Sequence, residues 1–182
     1  MSRIVGFERR FFIGGSDARV IMGSDEAALV RLWHEKRGEA EPEDLSGNLI
    51  VQLGRATEEL NRSWYERNTG RQVRDVQRLV RHSAIAWMVA TLVGIVEGTE
   101  AVFESKFMLP WSFSEEAAAE KYMPQLQHNM WVTHLRTSCC RSSLAGANGW
   151  RSRFPWTHST SASSFRLRRN SGAVCSRAKS PT

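Results

Sequence analysis

Two charged side chains lie one residue apart in a run that reads as a strand: Glu104 and Lys106, within residues 101–107. Strand side chains alternate, so Val102, Glu104 and Lys106 face one way while Phe103, Ser105 and Phe107 face the other. A carboxylate and an ammonium converging on one face suit phosphodiester hydrolysis. That reaction requires a strong nucleophile and neutralisation of the charge growing on the phosphate, and magnesium held by oxygen ligands supplies both. A lysine beside the carboxylates can orient or deprotonate water and offset negative charge. The carboxylates of such a site must come from separate elements. Glu58 is the second candidate, on a helix whose Gly54, Glu58, Asn61 and Tyr65 share one stripe. Taken alone, Glu-x-Lys is a weak signal that better suits a salt-bridged strand edge, and Glu58 could sit on a solvated helix face.

The elements that must position these residues follow from local signals. Leu49, Leu53, Ala56, Leu60 and Trp64 recur every three or four positions, which predicts the helix carrying Glu58 and ends it before Gly70. Gly54, one turn before Glu58, lets another backbone or a ligand come close. Upstream, Gly14-Gly15 reads as a turn and Ser16 as the cap of a short helix running to Gly23. Ser24 as cap, Asp25 and Glu26 in the first turn, Lys36 and Arg37 in the last and Gly38 beyond predict a second helix. Residues 72–80 alternate as a strand, residues 87–96 read as a buried strand, and Gly98-Thr99 turns into the strand of Glu104. Residues 112–135 are helical in pattern, with Ser114 as cap and Pro124 forcing a kink or a break. Helices followed by strands give an α/β (α+β) fold class.

Charge is distributed unevenly. The 182 residues hold 25 Lys+Arg against 19 Asp+Glu, for a net charge of +6. Residues 137–182 contain seven Arg, one Lys, eleven Ser and no acidic residue, so residues 1–136 balance at −2 and the basic character belongs to the tail. That tail shows no period of 2 or 3.6, and no internal repeat occurs in the chain. Cys139, Cys140 and Cys175 have neither a paired spacing nor a histidine cluster, which points away from a disulfide framework or a zinc site. With no apolar leader and no long apolar span, a soluble intracellular protein is expected.

Several blocks recur in one order: Ile13-Gly14-Gly15-Ser16-Asp17-Ala18; Gly54-x-x-x-Glu58 with Trp64-Tyr65-Glu66 and Thr69-Gly70; residues 90–96; Glu104-Ser105-Lys106; and Tyr122-Met123-Pro124-Gln125-Leu126-Gln127-His128-Asn129-Met130-Trp131-Val132-Thr133. Together they resemble the YqaJ-like viral recombinase family, which includes the phage lambda exonuclease and is a branch of the PD-(D/E)XK nucleases. The resemblance runs from Arg9 to Thr133. It implies a nuclease core with a central mixed sheet flanked by helices, and a Mg2+- or Mn2+-dependent exonuclease that resects duplex DNA ends 5′ to 3′. It further implies phage or prophage origin, action in the bacterial cytoplasm, a homotrimer and a single-strand annealing partner. By position, Glu58 and Glu104 would be metal ligands, Lys106 the catalytic lysine, and Gln125 the residue positioning that lysine or the scissile phosphate. Tyr122 and Gln127 would support DNA binding, and Arg9 and Ser16 would hold the 5′-phosphate, helped by backbone N–H groups at the helix start. His82 and His128 receive no metal role.

The chain departs from the family twice. Val93 stands where the family has a metal-binding aspartate. Valine suits a strand but cannot bind a metal, so weakened magnesium binding and impaired cleavage are expected. From residue 137 the composition suggests a shifted reading frame or a basic, disordered DNA-binding arm, which divides the chain into residues 1–136 as an incomplete nuclease domain and 137–182 as an aberrant tail. Two other readings remain open: a DNA-end-binding protein without cleavage, and a decayed prophage gene product.

Overall fold

Three helices open the chain, and each ends where the sequence places a stop. A computed structural model describes residues 9–108, 115–144 and 150–155. Helix α1 spans Gly15–Ile21, α2 spans Glu26–Arg37 and α3 spans Leu49–Thr69. Gly38 and Gly70 close α2 and α3 in the left-handed conformation, with φ of 74° and 67°. The caps differ from expectation. At α1 the cap is Gly14, whose N–H donates to Asp17 Oδ2 at 2.9 Å, so Ser16 lies inside the helix. At α2 the cap is Asp25 rather than Ser24, its Oδ1 accepting from Ala28 N–H at 3.0 Å. A carboxylate at a helix start also meets the positive end of the dipole, which a serine hydroxyl does less well.

The two long expected strands are each two short ones. Residues 72–80 become β1 (Val73–Arg74) and part of β2 (Leu79–Arg81), because Asp75 and Gln77 adopt φ of 56° and 57° and turn the chain between them. Residues 87–96 become β3 (Val89–Thr91) and β4 (Gly94–Val96), with a bend at Leu92-Val93 that moves the chain from one sheet to another. Strand β5 covers Ala101–Met108 and helix α4 covers Glu115–Thr133 as a single helix. It continues through Pro124, which removes the bond that residue would give to Glu120 without splitting the element. The expected cap Ser114 lies outside the described residues.

Strands β6 (Thr137–Leu144) and β7 (Trp150–Pro155) complete a five-stranded mixed sheet of order β1-β4-β5-β6-β7. Strand β6 pairs parallel to β5 along its whole length, through the α4 crossover, and the other neighbours pair antiparallel. Residues 137–144 and 150–155 therefore extend the sheet instead of leaving it, although composition sets them apart. Ser138, Cys139 and Cys140 are all buried, and a strand covered on both faces need not alternate apolar with polar. Residues 156–182 lie outside the described residues.

The sheet separates two layers. On one face Tyr65 of α3 packs with Val73, Val93, Val96, Ala101, Phe103 and Cys139. On the other, Met130 and Val132 of α4 pack with Ala90, Leu92, Ile95 and Val102. Helix α3 meets the sheet through its polar stripe. The Tyr65 ring lies 5.0 Å from that of Phe103, and Asn61 Nδ2 donates to Ser105 Oγ at 2.8 Å. The apolar stripe that announces this helix is turned outward, with Leu49 65% and Leu60 59% exposed. Among the described residues no helix is long and apolar enough to cross a membrane.

Candidate active site

Alternation along β5 sends Phe103 and Ser105 toward α3 and Glu104 and Lys106 toward α4, as the sequence predicts. Glu104 is only 2% exposed, and each of its oxygens has partners. Lys106 Nζ lies 3.2 Å from Oε1, while Gln125 Nε2 and Asn129 Nδ2 donate to Oε2 at 3.2 and 3.3 Å. Gln125 Oε1 accepts from Lys106 Nζ at 2.9 Å. The amide of Gln125 thus bridges the carboxylate and the ammonium, and its orientation is forced. Flipped, it would aim its NH2 at the ammonium and its oxygen at the carboxylate. The Tyr122 ring, one turn earlier on α4, is 8% exposed and sits 5.1 Å from Lys106 Nζ.

Glu58 approaches from α3. Its Oε1 accepts from Gln77 Nε2 of the β1–β2 turn. Burial raises its pKa, and the negative charge of Glu104 raises it further, against the opposing effects of Lys106 and Gln77. The two carboxylates therefore share one electrostatic neighbourhood. Open space surrounds Gly54 to 4 Å from where a Cβ would stand, so close approach does not require glycine there.

The start of α1 presses on the same turn of α4. A Cβ added to Gly15 would come 2.5 Å from Asn129 Oδ1 and 3.0 Å from Gln125 Cγ, so the absence of a side chain is what lets α1 sit there. Asn129 is 1% exposed, and among the described residues its Oδ1 has no hydrogen-bond partner while its Nδ2 serves Glu104. Arg9 Nη2 donates to Ser16 Oγ at 3.0 Å and lies 3.6 Å from Asp17, so the two residues expected at the 5′-phosphate are neighbours. Buried Asp17 is fixed by Lys36 Nζ at 2.7 Å, which also donates to the carbonyls of Arg9 and Phe12. Gln127 stands about 200° around α4 from Gln125, and its amide donates to Met123 Sδ at 3.3 Å. His128 Nε2 donates to the Val89 carbonyl, 3.0 Å away, and desolvation pushes its pKa down.

Sequence reasoning named Glu58, Glu104, Lys106 and Gln125 but missed Asn129, Gln77 and Asp17. Asn129 carried a usable signal, since it lies four residues after Gln125 on the same face of α4. Gln77 carried none, because it reaches Glu58 only through a left-handed turn residue.

Val93 is 8% exposed and packs with Tyr65, Val73 and Phe103 on the α3 side of the sheet. Neither neighbouring acid replaces the missing carboxylate: Glu100 Oε2 is held by Arg74 at 2.7 Å, and Glu97 is exposed in the following turn. Magnesium favours about six oxygen ligands in octahedral array. The described residues contain no group of three His, Cys, Asp or Glu able to hold a metal, and both oxygens of Glu104 already accept from protein donors. The residues present do not fit that ion.

Comparison with known proteins agrees with this architecture. The Laribacter hongkongensis alkaline exonuclease LHK-Exo superposes with a TM-score of 0.65 at 19% identity, over 83% of this chain and 80% of that one. The same exonuclease in complex with dAMP gives 0.63 at 19% identity, over 82% and 80%. A phage-related exonuclease from Haemophilus somnus 129PT gives 0.58 at 15% identity, over 73% and 68%. At such identities these likenesses show the fold. Protein YqaJ of Bacillus subtilis (strain 168) is 30% identical over 129 residues, which are 69% of this chain and 40% of that protein. The match thus spans about two fifths of the length of that relative. The family model for the YqaJ-like viral recombinase domain matches residues 8–136, from the approach to α1 through the end of α4, and the chain belongs to that family.

Proposed function

We propose that this chain is a DNA-end-processing domain of the exonuclease type, in which metal-dependent cleavage is crippled at Val93. The single observation that carries the reading is the closed triangle of Glu104, Lys106 and Gln125 beside Glu58, opposite a valine buried in the core. The triangle holds the Lys106 ammonium at a fixed place, where it can meet a phosphate and offset charge growing on it. Arg9 and Ser16 take the terminal 5′-phosphate of a duplex, and Tyr122 lines the strand's path along α4, whereas Gln127 is turned away from that face toward Met123. In this family reading Glu58 and Glu104 would hold Mg2+ or Mn2+, which would supply an activated water, and Val93 leaves that donor set short of a carboxylate. Assembly as a homotrimer, an annealing partner and a cytoplasmic site of action in a phage or prophage host follow from the same reading.

A second reading is a DNA-end-binding protein without cleavage, favoured by the burial of Val93 and the prior engagement of both Glu104 oxygens. Digestion of linear duplex DNA, with closed circular DNA as control, separates the two. The expected result is negligible digestion by the parent chain and digestion raised by roughly 10²-fold or more in Val93→Asp, abolished by EDTA. Robust digestion by the parent chain would overturn the crippled-site reading.

A further inference from the structure

Tyr122 is a meeting point for three cations from three elements. Lys106 Nζ of β5 stands 5.1 Å from the ring centroid, Lys121 Nζ of α4 stands 5.6 Å away and Arg19 Cζ of α1 stands 5.8 Å away. Each is therefore within about 11 Å of the others, roughly one Debye length at ordinary salt, so their fields add. Lys106 is balanced by Glu104. Arg19 and Lys121 are not balanced: among the described residues neither has a carboxylate within ion-pair distance, a state they share with Arg55, Arg62, Arg67, Arg81 and Arg136, and what sets them apart is that both converge on one ring beside Lys106. Two unneutralised cations from different helices, steered onto one largely buried ring beside a lysine, form a surface for a polyanion.

We propose that Arg19 and Lys121, held against Tyr122, form a phosphate-binding subsite beside the Lys106 corner. It takes the sugar–phosphate backbone of the same strand, at a phosphate neighbouring the one that meets Lys106. The aromatic ring keeps the guanidinium and the ammonium in place without cancelling their charge, which a carboxylate partner would do. This subsite needs no metal, so it operates with Val93 in place. It rests on the reading that the domain handles DNA ends, and names where the strand is gripped.

The test is binding of a 5′-phosphorylated duplex of about 20 base pairs, followed by fluorescence anisotropy in EDTA as salt is stepped, because each neutralised phosphate contributes about 0.9 to the slope of log K against log salt. Arg19→Ala with Lys121→Ala is expected to make that slope shallower by roughly 1.8, while Arg19→Lys keeps it. The Arg-rich tail contributes equally to every variant and cancels in the difference. Arg31→Ala, in the exposed pair with Glu43 on α2, is expected to leave the slope unchanged. Circular dichroism melts of each variant confirm a common fold. An unchanged slope in the double variant, with the parent binding normally, overturns the subsite and leaves the DNA-end reading standing. An equal loss in Arg31→Ala overturns it as well, by showing a general charge effect. Absence of duplex binding by the parent overturns both.

Discussion

Two corners of the molecule face the same task and have been solved differently. At the β5–α4 corner, Glu104, Lys106, Gln125 and Asn129 are buried or half-buried polar groups whose bonds are made to one another. At the β3–β4 bend, Val93 joins Tyr65, Val73 and Phe103 in an apolar cluster. The first corner gives up hydrophobic burial for fixed charge, a cost that only a function or a complete network justifies. The second gains packing and has no polar atom to present. A single position thus separates an arrangement fit for chemistry from one fit for folding, while the surrounding backbone serves either.

The comparison is broken most severely by removing the charge from the first corner after restoring it to the second. In a Val93→Asp background, Lys106→Ala is expected to abolish the regained digestion of linear duplex, by roughly 10³-fold in kcat/KM. Equal activity with and without the lysine would mean that cleavage arises elsewhere. Next in size is the cost of Val93→Asp itself. A carboxylate placed among Tyr65, Val73 and Phe103 must be drawn out of that cluster, so the metal-free variant should lose about 2–4 kcal/mol by denaturant melting. Millimolar Mg2+ should return part of that loss in the variant only.

Gly15→Ala probes the seam between α1 and the first corner. A methyl 2.5 Å from Asn129 Oδ1 must displace the side chain that holds Glu104, at a cost of about 1–3 kcal/mol in thermal or denaturant unfolding. A neutral outcome would show that α1 yields freely. The smallest effect concerns Glu58, whose pKa is raised in the fold, first by burial and then by Glu104. A raised carboxyl pKa means that the folded state favours the proton. The associated stability is present below the unfolded pKa and lost as pH rises through the folded value. Glu58→Gln should therefore raise Tm at pH 7, by roughly 1–2 °C, with the gain vanishing toward pH 4. A gain that persists or grows at pH 4 would contradict this sign.

Much of this was legible in the sequence because the relevant signals are local. The alternation on β5 put Glu104 and Lys106 on one face, and glycine stops fixed the ends of α2 and α3. What was not legible depended on tertiary choice. Helix α3 turns its Asn61–Tyr65 stripe inward because Phe103 and Ser105 offer a ring and a hydroxyl to meet it, and its leucine stripe is left outside. The divided strands hinge on left-handed Asp75 and Gln77 and on the bend at Val93, none of which breaks hydropathy. Strand β6 escaped because burial on both faces erases the period-2 pattern, and Asn129 because an amide four residues after Gln125 gains meaning only beside Glu104.

The most direct test of the account is isothermal titration of Mg2+ into the parent chain and into Val93→Asp at neutral pH. The account predicts no saturable binding in the parent up to millimolar ion and at least about tenfold tighter binding in the variant, since one carboxylate converts an incomplete donor set into a workable one. Equal affinity in the two chains would contradict it, and would place the metal, if it binds, away from the β3–β4 bend.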